Sequence, residues 1–140
     1  MRRLTLAIVA IALSLPAFAL DHSHKAWQAL LAKNVRYVPG GNASQVAYAD
    51  FMKERGALRQ VLDEYQGVRR AEFDGWSKAE QQAFLINAYN AFTIEKVLRR
   101  YPNLQSIRDY GTLFGNPWKD RFFRLFGEPA HLDQVEHEIL

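Results

Sequence analysis

The sequence has no cysteine among its 140 residues. No disulfide bond can therefore hold the fold together, and the chain can tolerate an oxidising compartment. Hydrophobic residues make up 49% of the sequence and aromatic residues 13%. Stability must then come from packing, and a mature chain of about 120 residues has room for one hydrophobic core.

A hydrophobic run long enough to form an ordinary transmembrane helix, about 20 residues, is also missing. The apolar stretch from Leu4 to Leu15 is too short and is followed by Pro16. It begins after Arg2 and Arg3, and a basic start before a short apolar stretch is typical of a secretory signal peptide.

The residues after this stretch, Ala17-Phe18-Ala19, have the small-residue spacing of a signal-peptidase cleavage site. We therefore predict that residues 1–19 are a signal peptide and that residues 20–140 are exported across the inner membrane of a bacterium. The mature protein would be periplasmic or secreted, with no membrane span after cleavage. The alternative is a retained signal anchor.

A strong charge of one sign is absent from the predicted mature chain. Removing Arg2 and Arg3 leaves 16 basic and 15 acidic residues. The Arg69-Arg70 and Arg99-Arg100 pairs are predicted to be solvated at the ends of helices. Because no basic stripe interleaved with aromatic residues remains, we predict no nucleic-acid partner.

Charge is missing altogether from residues 83–94, and this segment lies inside the central element of the chain. Ser77 and Glu80 have the spacing of a capping box at a helix start, while Tyr101-Pro102 marks the end. The pattern predicts a buried helix over about residues 77–100.

At 100° per residue, two carboxamides fall on one apolar arc of this helix, those of Asn87 and Asn90. The arc as a whole comprises Ala83, Ile86, Asn87, Asn90, Ile94, Val97 and Leu98. Buried carboxamides need hydrogen-bond partners. They would either tie the helix to a neighbouring loop or line a site as orienting groups or oxyanion donors.

The remaining segments predict shorter elements around this helix. We expect a first helix from Trp27 to Val35 capped by Asp21 or Ser23, two short paired strands around the turn 39–42, and a helical region 48–65 that breaks near Gly56. Further along, we expect Gly67 to end that region and residues 71–76 to form a loop that carries Phe73 and Trp76 into the core.

Beyond Pro102 we expect irregular, aromatic segments over 106–111 and 113–118, then an apolar patch over 122–126. A last helix starts near Asp133, since Asp133 and Glu136 repeat the capping-box spacing. The predicted fold class is α+β and mostly helical, with the central buried helix (about 77–100), surrounding helices, aromatic loops and at most a small sheet.

Several segments resemble the family called domain of unknown function 547. They are Trp76-Ser77, the run 83–91, Tyr101-Pro102 with Ser106-Ile107, Asn116-Pro117-Trp118, and the stretch from Leu132-Asp133 through Glu136-His137 to Ile139-Leu140. Leu85 and Val135 stand where the family usually has tryptophan and isoleucine. The resemblance implies a mixed, mostly helical fold and an exported bacterial envelope protein.

Family members continue past the position of Leu140 into a segment that contains histidine and cysteine. The resemblance therefore implies that residues 20–140 are the N-terminal part of a single domain, truncated at its C-terminal end. A short last helix that ends on Ile139-Leu140 would leave apolar side chains without a partner, which favours the same interpretation.

Four residues are the candidate catalytic group: Asn87, Asn90, Glu136 and His137. In a complete relative, His137 as general base, an asparagine that orients it and a downstream cysteine nucleophile would make a hydrolase-like site for acyl transfer or peptide cleavage. The structural alternative is that Glu136 caps its own helix and His137 bonds to Asn90 or to a carbonyl. A metal set of His131, Asp133 and His137 is weaker, so we predict no metal site and assign no cofactor.

Two classes of function stay open at this point. The first is an envelope protein that is hydrolase-like in its complete relatives. The second is a non-catalytic envelope domain that binds a peptide, a glycan or a protein, or an inactive truncated remnant. Candidate partners are a small molecule, a peptide or an envelope protein.

Overall fold

The structure is a computed structural model that describes residues 19–104 and 116–139. Its elements in chain order are α1 (Lys25–Asn34), β1 (Val35–Tyr37), β2 (Ser44–Val46), α2 (Tyr48–Lys53), α3 (Arg55–Gln66), α4 (Arg70–Asp74), α5 (Lys78–Leu98), a 3₁₀ helix (Pro117–Lys119), β3 (Phe123–Leu125), β4 (Glu128–Ala130) and α6 (Leu132–Ile139). The predicted α+β, mostly helical class is confirmed.

Helix α5 is the centre of the fold, and α3 and α6 both pack against it. Its start is the predicted capping box. The Glu80 backbone N–H donates to Ser77 Oγ at 3.2 Å, and the Ser77 N–H donates to Glu80 Oε2 at 2.8 Å. Two backbone donors that a helix start leaves unpaired are thereby satisfied.

The buried face of α5 differs from the predicted arc. Ala83 and Asn90 are exposed, Ile86 is 43% exposed, and Asn87 is half-buried. The buried residues of the charge-free segment are Phe84, Leu85, Ala88, Ala91, Phe92 and Ile94. Apolar residues occur on all sides of this part of the helix, so helical spacing alone does not determine which face is buried. The large rings of Phe84 and Phe92 determine it, because burying them removes the most apolar area from water.

The two predicted short strands near residues 39–42 form an antiparallel hairpin, with Val35 opposite Val46 and Tyr37 opposite Ser44. The apolar patch predicted at 122–126 contains the start of a second hairpin, in which Phe123 lies opposite Ala130 and Leu125 opposite Glu128. Both residues of its two-residue turn, Phe126 and Gly127, have positive φ, as a hairpin turn of the I′ type requires.

Two predicted helix caps and one predicted loop are wrong, whereas the start of the last helix near Asp133 is confirmed, at Leu132. The first helix has His24, not Asp21 or Ser23, at its N-cap position and makes no side-chain cap bond. The segment with Phe73 is the short helix α4 and not a loop. The last helix is capped by His131, whose Nδ1 accepts from the Gln134 N–H at 3.1 Å. His131 directly precedes the first helical residue, Leu132, whereas Asp133 is already inside the helix.

The break in the helical region 48–65 is confirmed, although it lies at Glu54, where α2 gives way to α3. Gly67 ends α3 as predicted. The irregular segment expected over 106–111 lies outside the described residues, as does the first part of 113–118. Among the residues that are described, no helix is both long and apolar enough to cross a membrane.

Candidate functional site

Helix α4, the first half of α5 and the end of α6 enclose a cleft of about 370 Å³, which we call the α4–α6 groove. Its polar side chains are Arg70, Asp74, Lys78, Gln81, Gln82 and Glu138. Its apolar side chains are Phe73, Leu85 and Ile139. Binding clefts for small ligands generally enclose about 300–1,000 Å³ and are lined mainly by apolar side chains. This groove has the size of a binding site, but six of its nine lining side chains are polar.

Arg70 holds two walls of the groove together. Its Nε lies 3.1 Å from Asp74 Oδ1 on its own helix, and its Nη1 lies 3.5 Å from Glu138 Oε2 on α6. The guanidinium also lies over the ring of Phe126, 4.9 Å from the centroid. About half of the side chain is exposed, so these contacts orient the guanidinium more than they stabilise the fold.

The α5 wall presents polar groups of two kinds. Gln81 is fixed, because its Nε2 donates to the Phe73 carbonyl at 2.8 Å and its Oε1 accepts from Lys78 Nζ at 3.2 Å. Lys78 makes no ion pair with any residue that the structure describes, and Gln82 makes no side-chain hydrogen bond within the same ranges. An ammonium and a carboxamide are therefore available to a ligand.

The four predicted catalytic residues lie on two helices that pack against each other, Asn87 and Asn90 on α5 and Glu136 and His137 on α6. Asn90, Glu136 and His137 are exposed, and Asn87 is half-buried. Within residues 19–104 and 116–139, no hydrogen bond or ion pair joins any one of the four to another. Of the structural alternative, in which His137 bonds to Asn90 or to a carbonyl, the bond to Asn90 is absent within these ranges, and a catalytic role for the four residues stays a prediction.

No group of three or more metal-ligating side chains is found in the described part of the chain. Of the weaker metal set considered from the sequence, His131 uses its Nδ1 to cap α6. His137 lies on the exposed part of the same helix.

The sequence pattern did not single out the groove residues, although two signals were present. Arg70 and Asp74 are four residues apart, which is the spacing of an ion pair on one helix face. Lys78 and Gln82 have the same spacing at the polar start of α5. The pattern did not indicate Glu138, which is directly next to the predicted pair 136–137 and whose Oε2 lies 3.5 Å from Arg70 Nη1 on α4.

A second group of charges lies at the other end of α5, where it is buried. Glu95 Oε1 accepts from Arg55 Nη2 at 2.9 Å and from Arg99 Nε at 3.2 Å. Lys96 is 1% exposed; its Nζ lies 2.9 Å from Asp120 Oδ2 and 4.5 Å from the centroid of the Phe122 ring. These groups connect α5 to α3 and to the segment after the 3₁₀ helix.

One buried imidazole lies outside both clusters. His24 Nδ1 is 3.0 Å from the Tyr65 hydroxyl, and the Tyr65 ring packs edge-on against Phe84. Burial lowers the pKa of His24 and raises the pKa of Tyr65, since both charged forms lose hydration. His24 therefore belongs to the core of the fold.

Comparisons with known proteins give one finding. A family model with the description "Protein of unknown function, DUF547" matches residues 73–140, which is about half of the chain. The matched region contains α5, the second hairpin and α6, and it contains most of the α4–α6 groove but not Arg70. No curated protein and no solved structure matches the chain.

Proposed function

We propose that this chain, which belongs to the DUF547 family and whose family description assigns no activity, is an exported bacterial envelope protein. We further propose that it binds a peptide segment in the α4–α6 groove. The export part rests on the sequence pattern of residues 1–19. The binding part rests on one observation: the groove combines an apolar floor with uncommitted groups of the types that a peptide can pair.

The polar groups of the groove support a peptide over a simple anion or cation. Lys78 contributes an ammonium, while Asp74 and Glu138 contribute carboxylates that share the single guanidinium of Arg70. A ligand with one acidic and one basic side chain would match both signs. The Gln82 carboxamide can pair with a backbone N–H and a backbone C=O.

The apolar groups support the same choice. Phe73 and Leu85 are buried side chains whose edges form the floor of the groove, and Ile139 is half-buried at its end. An aliphatic side chain between the two charged ones would cover them. A glycan would more often be held by an exposed aromatic face, and the aromatic side chain that lines this groove, Phe73, is 5% exposed.

Binding without catalysis fits this chain better than hydrolysis. His137 and Glu136 are exposed and are not joined to Asn87 or Asn90 in the described residues. The hydrolase-like activity inferred for complete relatives therefore stays a proposal about those relatives.

The proposal is tested with a panel of fluorescein-labelled decapeptides. Each peptide carries one lysine and one glutamate in a leucine and glycine background, with one to four residues between the two charges. Binding to the mature protein is measured by fluorescence anisotropy, and mass spectrometry of the same samples reports whether the peptide stays intact. We expect saturable binding of at least one spacing and no cleavage.

The matched variants are Lys78→Glu in the groove and Lys25→Glu on α1, which make the same charge change at two exposed positions. Reversing a partly solvated ion pair should weaken binding about fivefold, and only in Lys78→Glu. Absence of binding across the panel, or equal losses in both variants, would overturn the proposed site. Cleavage of the peptide would instead favour the hydrolase class.

A further inference from the structure

The residues directly after the predicted cleavage site are docked on the core of the protein. Leu20 is 6% exposed and belongs to the main hydrophobic cluster. The ring of His22 packs edge-on against Trp76, with centroids 4.6 Å apart. Next along the chain, His24 bonds to Tyr65. Residues 20–24 are thus held at successive points against α3, α4 and the turn before α5.

The residue on the other side of the predicted scissile bond is different. Ala19 is exposed, and its side chain belongs to no part of the core. Within the described residues, which start at Ala19, the docked segment therefore begins at the same bond that the small-residue pattern 17–19 identifies as the cleavage site. Packing and sequence pattern are independent observations, and both point to the bond between Ala19 and Leu20.

The nitrogen of Leu20 faces a carboxylate. Its N–H donates to Glu72 Oε1 on α4 at 3.2 Å, and the bond is partly buried. In the precursor this nitrogen is a neutral amide. Hydrolysis of the Ala19–Leu20 bond by water gives Ala19 a carboxylate and Leu20 an amine, which takes up a proton near neutral pH.

We propose that signal removal creates a structural ion pair between the new α-ammonium of Leu20 and the carboxylate of Glu72. This inference rests on the proposed export and on cleavage after Ala19. A charge-assisted hydrogen bond is stronger than the neutral one that it replaces. The mature chain is therefore more stable than the same residues with a neutral amide at the Leu20 nitrogen. Through Glu72, the stability of the fold depends on whether the signal peptide has been removed.

The test compares four purified chains that all begin at Leu20. The amino terminus is either free or acetylated, and position 72 is either glutamate or glutamine (Glu72→Gln). The acetyl group keeps the N–H donor and the preceding carbonyl but removes the charge, while glutamine keeps an acceptor oxygen. Any difference that depends on both changes together measures the ion pair.

We expect the free amino terminus to raise the melting temperature by about 3 °C with Glu72, as a partly solvated ion pair should, and by less than about 1 °C with Glu72→Gln. At about pH 10, where an α-amine has lost its proton, the difference with Glu72 should shrink in the same way. Equal melting of the free and acetylated chains at pH 7 would overturn the proposal, as would an equal effect of acetylation in Glu72→Gln.

A separate measurement keeps this inference distinct from the proposed export. The full-length chain is produced in a bacterium, and the amino terminus of the envelope fraction is determined by mass spectrometry. We expect Leu20 as the first residue. A chain that keeps residues 1–19, or that is cut at another bond, would overturn the processing step, and absence of the chain from the envelope fraction would overturn the proposed export. Failure of the four-chain comparison alone would leave export and groove binding in place.

Discussion

The two ends of α5 carry polar groups in opposite situations. In its last turns, Glu95 and Lys96 are buried and paired with groups from other segments, namely Arg55 and Asp120. In its first turns, Lys78 and Gln82 are exposed beside a cleft. Paired charges inside the protein connect its elements, whereas the ammonium of Lys78 at the cleft makes no ion pair within the described residues and is the group to which the proposed function assigns ligand recognition.

The largest expected effect concerns the buried end. Glu95→Ala leaves the guanidinium of Arg55, which is 26% exposed, without its carboxylate, so we expect a loss of about 3 kcal/mol in the free energy of unfolding. Urea unfolding followed by tryptophan fluorescence measures it. The matched change at the groove, Glu138→Ala, breaks a pair to the half-exposed Arg70 and should cost less than about 1 kcal/mol. Equal losses in the two variants would remove the distinction.

The next effect concerns the first turn of α5. Ser77→Ala removes the hydroxyl that accepts from the Glu80 N–H and should cost about 1 kcal/mol. The hydrogen bond from the Ser77 backbone N–H is the main cause that lowers the pKa of Glu80, and the hydrogen bond with the Ser77 side chain lowers it further. For a carboxyl with a lowered pKa, the stabilisation is present above its ordinary pKa and is lost as the pH falls through the lowered one. Ser77→Ala should therefore cost least in acid, and a cost that grows as the pH falls would contradict the capping box.

A third prediction follows from the buried imidazole of His24. Burial lowers its pKa on folding, so the unfolded chain binds more protons than the folded one just below the ordinary histidine pKa of about 6.5. The free energy of unfolding should then fall as the pH falls below that value. His24→Asn, which tolerates the positive φ of this position, should make the dependence between pH 7.5 and 5.5 shallower. An unchanged slope in urea unfolding would contradict the assignment.

The smallest effect is expected at the two asparagines of α5. Asn87 is half-buried and Asn90 is exposed, and neither side chain makes a hydrogen bond with another described residue. Replacing either with leucine should change the free energy of unfolding by no more than about 0.5 kcal/mol. A loss above about 1 kcal/mol in the free energy of unfolding, in thermal or urea unfolding, would instead indicate that these carboxamides are buried and hydrogen-bonded, as helical spacing predicts.

The parts of the fold that the sequence predicts are those with local signals. Ser77 and Glu80 predict the start of α5, and the turn over 39–42 predicts the first hairpin, because each depends on neighbours in the chain. The choice of buried face on α5 depends on which rings find partners elsewhere. Phe84 packs on Tyr65 and Phe92 on Phe123, and these contacts link residues far apart in sequence.

The groove could be predicted only in part for the same reason. The ion-pair spacing of Arg70 and Asp74 is visible in the sequence, but the approach of Glu138 to Arg70 spans 68 residues. The predicted candidates 136 and 137 were one or two positions away from it. On a helix, a shift of one residue turns a side chain by about 100°, which is enough to move it from a neighbouring helix to solvent.

The proposed recognition of a peptide by the charge of Lys78 in the α4–α6 groove can be tested by a charge exchange between protein and peptide. The best-binding peptide of the panel is remade with lysine in place of its glutamate, and both peptides are titrated into the parent protein and Lys78→Glu. We expect Lys78→Glu to bind the original peptide about fivefold more weakly and to recover affinity for the exchanged peptide. The same ranking of the two peptides by both proteins would overturn the proposed role of Lys78.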